Sequence, residues 1–139
     1  MEQQIRQALV KALGDALPQC PLHTERMPQH GIRDGLWIYP AGLGLEGRIG
    51  CQEAWSQWEI RYLPPMETPR QTMVERLRQV VEAVQTLQLD DGPLRPVIQQ
   101  AECDGSMAVV LLRVRCRVRI EQSSPMMRKF TWEMEMEGN

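Results

Sequence analysis

Few residues in this chain could do chemistry. The only histidines are His23 and His30, and the cysteines are Cys20, Cys51, Cys103 and Cys116. Cys20, His23, His30 and Cys51 make a four-ligand set on paper, because thiolate sulfur and imidazole nitrogen both bind zinc. Their spacing matches no zinc pattern and no CxxC redox pair. Neither histidine belongs to a serine or cysteine nucleophile motif, so triad chemistry has no anchor. Gly42, Gly44 and Gly47 spell GxGxxG. A dinucleotide cradle needs that turn between a buried strand and a helix. Here Pro40 precedes it and an alternating segment follows, which predicts a flexible hairpin loop instead. Glu46, Glu53 and Glu59 are explained by surface solvation as well as by acid–base work. No catalytic, cofactor-binding or metal-binding residue is assigned, and the chain reads as a non-enzyme.

The strongest charge pattern is Arg113, Arg115, Arg117 and Arg119, alternating along one segment. It resembles a phosphate-binding stripe until the next segment is paired against it. A hairpin centred on Pro125 sets Arg117 opposite Glu133, Arg115 opposite Glu135 and Arg113 opposite Glu137. The same register sets Ile120 against Phe130, Val118 against Trp132 and Cys116 against Met134. A slip of one residue would put arginine against apolar side chains on every rung. Charge and apolar pairing select one register, so a neutralised, solvated face is expected rather than a nucleic-acid site. An interface role for the same arginines stays open.

The elements that position these residues follow from periodicity. Met1 to Leu17 carries Ile5, Ala8, Leu9, Ala12, Leu13, Ala16 and Leu17 at helical spacing, and Pro18 stops it. Cys20 to Gly35 is irregular, with room for a short extended piece around Leu22 to Met27. Leu36 to Pro40 is a strand, and Ala41 to Gly47 a glycine-rich turn. Trp55 to Leu63 alternates, with Trp58, Ile60 and Tyr62 on one face and Glu59 and Arg61 on the other. Thr68 and Pro69 predict a helix start, with Gln71 as the capping-box partner. The stripe Met73, Val74, Leu77, Val80, Val81, Val84 and Leu87 predicts a helix of roughly 30 Å, ended by Asp90 to Pro93. Leu94 to Cys103 is a weaker strand that Pro96 assigns to an edge or to a strand start. Asp104-Gly105 marks a two-residue hairpin turn. Met107 to Ile120 and Arg128 to Glu137 complete the chain as strands.

The expected fold is one α+β domain over residues 1–139. Two helices pack on one face of a mostly antiparallel sheet, in the order α-β-β-α-β-β-β. Hydrophobic residues at 42% and charged residues at 24% give a globular balance. The formal net charge of -2 lacks the basic excess of a general nucleic-acid binder. Met1 to Ala8 has no apolar signal-peptide core and no run is long enough to span a bilayer, so a cytoplasmic protein without membrane contact is expected. The cysteines are then reduced, apolar packing residues.

The segment Trp58-Glu59-Ile60-Arg61-Tyr62-Leu63-Pro64 is similar to an aromatic-x-Ile-x-Tyr-x-Pro strand ending. In small tail terminator proteins of phages and prophages, such a strand precedes a long amphipathic helix. The Asp104-Gly105 turn into a long strand resembles the same family, as does the opening helix with Ile5-Arg6-Gln7-Ala8-Leu9. The resemblance covers most of the chain in element order. It implies a structural protein that forms a ring, commonly a hexamer, on the end of the tail tube. Its implied partners are other copies of itself, the tail tube protein and a head-completion protein. Its implied location is the host cytoplasm during assembly and then the virion tail. The family supplies no catalytic residue, and this chain departs from it at Gly42 to Gly50 and in its methionine-rich end.

Candidate interface residues are Gly42, Leu43, Gly44 and Leu45 in the glycine-rich turn, Arg113, Arg115 and Arg117 on the ladder, and Trp132 and Met134 on the last strand. The alternative is a small cytoplasmic dimeric binding module or chaperone that holds a peptide on the same surfaces.

Overall fold

The computed structural model describes residues 2–24, 35–48, 51–65, 68–124 and 127–134, with side chains at 2–24, 35–42, 55–65 and 68–115. Helix α1 (Glu2–Ala16) buries Ile5, Ala8, Leu9 and Leu13. Leu17 follows in the same stripe and is fully buried. Each fully buried leucine contributes about 1.5–3 kcal/mol relative to exposure. Short strand β1 (Leu22–His23) comes next, then the hairpin of β2 (Gly35–Arg48) and β3 (Cys51–Leu63). Helix α2 (Arg70–Ala83) is followed by a small hairpin of β4 (Leu87–Leu89) and β5 (Gly92–Leu94). Strands β6 (Val97–Cys103), β7 (Ala108–Ser124) and β8 (Met127–Met134) finish the chain.

The fold is α+β, as expected, with a richer order: α-β-β-β-α-β-β-β-β-β. The main sheet has six strands in the order β1-β2-β3-β7-β6, with β8 also on β7. All neighbours are antiparallel except β1 and β2. β3 takes one edge of β7 from Ala108 to Arg119. β6 and β8 share the other edge end to end, β6 reaching Arg113 and β8 starting at Cys116.

The helices pack on β2, β4, β6 and β7. The core beneath them takes Leu36 and Ile38 from β2, Trp58, Ile60 and Tyr62 from β3, and Ala108, Val110, Leu112 and Val114 from β7. The alternation predicted for β3 is therefore real, with Glu59 and Arg61 ion-paired at 3.0 Å on the opposite face. The apolar rows belong to the helix-facing side, where each strand offers every second residue.

Several expectations are corrected. Ala41 to Gly47 is not a turn. β2 runs straight through it, with a bulge between Pro40 and Gly42, and pairs with Cys51 to Gln57 of β3. Glycine weakens a strand's intrinsic signal, but a long partner can still carry the ladder. Thr68 is not the N-cap of α2. Pro69 holds that position without a side-chain cap, while the Thr68 hydroxyl donates to the Pro65 carbonyl at 2.7 Å. The helix also stops at Ala83, so Leu87 fills the core from β4 rather than from α2. Val74 is 47% exposed, off the buried line of Met73 and Val80. Asp90 and Asp91 turn the β4–β5 hairpin, and Gly92, the first residue of β5, takes a φ of 129°, a backbone shape costly for other residues.

Other expectations hold. β6 begins just after Pro96 and is a terminal strand of the sheet, in line with an edge or a strand start. β7 and β8 pair in the expected register: Arg117 opposite Glu133, Val118 opposite Trp132, Ile120 opposite Phe130 and Cys116 opposite Met134. Glu135 and Glu137 lie outside the described residues. On that edge of β7, the position opposite Arg113 is held by Val97 of β6. β6 and β7 turn at Asp104-Gly105, but the loop spans four residues, from Asp104 to Met107.

Candidate assembly surface

The face of the sheet away from the helices carries the polar chemistry. Its rows follow from the register. Trp37, Arg61 and Val109 form one row, then Tyr39, Glu59 and Leu111, then Gly42, Gln57 and Arg113, then Gly44, Trp55 and Arg115.

Trp55 is the centre of the cationic part. The Arg113 guanidinium carbon lies 5.1 Å from the indole centroid and that of Arg115 lies 5.8 Å away. A guanidinium over an indole is attracted by the ring's negative face. Beside it, Gln57 donates to the Gln99 side-chain carbonyl at 3.3 Å. Arg113 Nε is buried without a hydrogen-bond partner among the described residues. The expected neutralisation by glutamates alone is thus incomplete. At Arg113 and Arg115, the neighbours across β3 are Gln57 and Trp55, and at Arg117 the neighbour is Glu53. Trp55 sits three residues before Trp58, so strand parity already places the two on opposite faces.

The next cluster joins Tyr39, Glu59 and Arg61. Arg61 Nε donates to Glu59 Oε1 at 3.0 Å, and the Arg61 guanidinium carbon lies 5.5 Å from the Tyr39 ring centroid. The Tyr39 pKa is pushed up to about 12. Burial is the main cause, followed by the hydrogen bond to the Glu59 carboxylate and its charge, against a smaller opposing effect of Arg61. Further along, His23 stacks on Trp37 with ring centroids 4.5 Å apart and planes 19° apart. Gly35 makes room for that stack, since a Cβ there would lie 3.1 Å from both rings.

Within each cluster the side chains bind one another, and none offers a nucleophile–base pair. His23 is used in stacking. His30 lies outside the described residues, as does the side chain of Cys51, so two members of the four-ligand set fall outside them. No group of metal-ligating side chains occurs among the described residues. A cleft of about 460 Å³ beside the start of α2 is lined by Thr68, Arg70, Cys103, Asp104 and Gly105. Its carboxylate is occupied: Asp104 Oδ1 accepts from Ser106 N at 2.7 Å, Ser106 Oγ at 2.8 Å and Met107 N at 2.9 Å.

The remaining candidate residues lie further along the same strands. Gly42 is exposed, and Leu43, Gly44 and Leu45 are strand positions of β2 rather than loop. Arg117 is a position of β7, and Trp132 and Met134 are positions of β8. β7 continues past Val114, which is buried, to Ser124, about 30 Å of extended chain. β2, β3, β7 and β8 form a four-stranded arm at the end of the sheet that β6 does not reach. No helix among the described residues is long and apolar enough to cross a membrane. Neither a protein-family model nor a curated protein sequence matches this chain.

Proposed function

We propose that this protein is a structural component of a phage or prophage tail, a terminator that assembles as a ring, caps the tail tube and joins it to the head. The observation that carries the reading is the four-stranded arm of β2, β3, β7 and β8, which extends past the end of β6. Such an arm offers sheet edges and faces to other chains. The residue resemblance around Trp58 to Pro64 and the element order support the same role. The partners are further copies of the chain, in a ring of six, together with the tube protein and a head-completion protein. The side chains of the uncovered face hold one another in pairs and stacks, which suits protein contact rather than catalysis. Neither a membrane nor a nucleic acid is a partner in this reading. The protein works in the host cytoplasm during assembly and then in the virion tail.

The test is the mass of the purified protein by light scattering and native mass spectrometry across concentration, repeated with tail tubes. A hexamer, free or on tube ends, is expected. A stable dimer that leaves tubes uncapped would favour a dimeric protein-binding module or chaperone. A monomer that also leaves tubes uncapped would refute the ring.

A further inference from the structure

Among the described residues the arm has two open edges. β1 pairs with β2 only at Leu36 and Trp37, so β2 from Ile38 to Arg48 has no strand on that side among the described residues. β8 pairs with β7 and, among the described residues, with nothing beyond. Open edges present unpaired N–H and C=O groups that template another strand. The arm order β2-β3-β7-β8 is antiparallel throughout, so β2 and β8 run in opposite directions. A second copy set alongside in the same orientation brings its β2 antiparallel to β8. The contact joins two different edges, so it is heterologous and repeats from copy to copy until a ring closes.

Resting on the ring reading, we propose that β8 of each copy pairs with β2 of the next, in the register that sets Lys129 opposite Glu46. The ladder rows decide this. Leu43 and Leu45 share rows with Val114 and Cys116. Phe130, Trp132 and Met134 share rows with Ile120, Val118 and Cys116, of the same alternation. Only shifts of two residues keep these positions on one face. The proposed register sets Leu45 opposite Phe130, Leu43 opposite Trp132 and Gly44 opposite Thr131. Two residues one way, Leu45 meets Arg128. Two residues the other way, Arg48 meets Lys129, and two further, Glu46 meets Glu133. An independent observation points to the same rung. Within its own hairpin, Glu46 stands directly opposite Glu53, a like-charge pair that destabilises a ladder. Glu53 has Arg117 on its other side, and a lysine on the open side of Glu46 would give Glu46 an opposite charge directly across as well.

The experiment uses the full chain, with mass read by light scattering and folding by circular dichroism. Glu46→Lys and Lys129→Glu should each shift the assembly to monomer, and the two together should restore it. In a chain with Cys20, Cys51, Cys103 and Cys116 replaced by alanine, Glu46→Cys with Lys129→Cys should oxidise to covalent multimers that end at the ring size. Either cysteine alone should not. If the wild type assembles, both charge reversals assemble equally well and the cysteine pair stays uncrosslinked, the edge pairing is wrong while the ring stands. If the wild type stays monomeric with and without tubes and the cysteine pair stays uncrosslinked, both are wrong.

Discussion

The guanidinium carbon of Arg113 lies 5.1 Å from the centroid of the Trp55 indole, on the sheet face that the helices leave uncovered. The ring also attracts Arg115. One aromatic side chain thereby organises two cations that sit on alternate residues of β7. Trp55→Ala should lower stability by about 2 kcal/mol, combining lost area with lost cation–π attraction. Trp55→Phe should cost under about 1 kcal/mol, because a smaller ring keeps part of the attraction. Urea unfolding midpoints of the two variants check this, and equal losses would refute the cation–π account.

Tyr39 supplies a pH prediction. Its phenol titrates at about 12 in the fold, above its ordinary 10.0. The folded state resists losing that proton. The stabilisation is therefore complete below the unfolded value and disappears as pH rises through the window from 10.0 to about 12. Tyr39 is half-buried, so solvent screening reduces the effect to about 1 kcal/mol. Tyr39→Phe should remove this part of the alkaline loss. Absorbance titration of wild type and Glu59→Gln should show the tyrosine step moving down in the variant.

At the β6–β7 turn, the Asp104 carboxylate is held below the usual carboxylate range, chiefly by the Ser106 N–H, then by the Ser106 hydroxyl and the Met107 N–H. A depressed value means the contribution is present at neutral pH and lost as pH falls through the folded-state value. Asp104→Ala should lower the melting temperature, and Asp104→Asn should recover part of it because the amide oxygen still accepts. A melt of the two variants that shows no difference would remove the carboxylate from the account of this turn.

Gly35 is required by its neighbours. A Cβ there would sit 3.1 Å from His23 Cδ2 and from Trp37 Cζ3. Gly35→Ala should therefore displace the stack and destabilise by about 1–3 kcal/mol, the range for overpacking a filled site. In a His23→Ala background the same substitution should cost clearly less. A double-mutant cycle by chemical denaturation measures the difference, and strict additivity would contradict the steric reading.

Much of the scaffold could be read from residue order. The β7–β8 register was legible because two independent patterns, apolar and charged, demand one alignment. The stripe of Ile5, Leu9 and Leu13 gave α1, and Pro96 gave an edge or a strand start. The arm was hidden for a physical reason. Gly42, Gly44 and Gly47 carry no side chain to show alternation, so β2 seemed to end where its partner in fact continues. The end of α2 was hidden because Val84 and Leu87 keep helical spacing after the backbone has left the helix. β4 and β5, at three residues each, are too short to show a period. On the candidate surface, Arg113 and Arg115 were visible as a ladder, whereas the role of Trp55 needed the cross-strand neighbour that only the register supplies.

The end-to-end sharing of one β7 edge by β6 and β8 bears on how force would travel through the molecule. A pull along the arm is received by β8 and handed to the same backbone that, a few residues earlier, is fastened to β6 beneath α2. β3 runs alongside both stretches. Load along that axis shears many rungs at once instead of opening them singly, so β7 acts as a tie-rod between the arm and the helix-covered body.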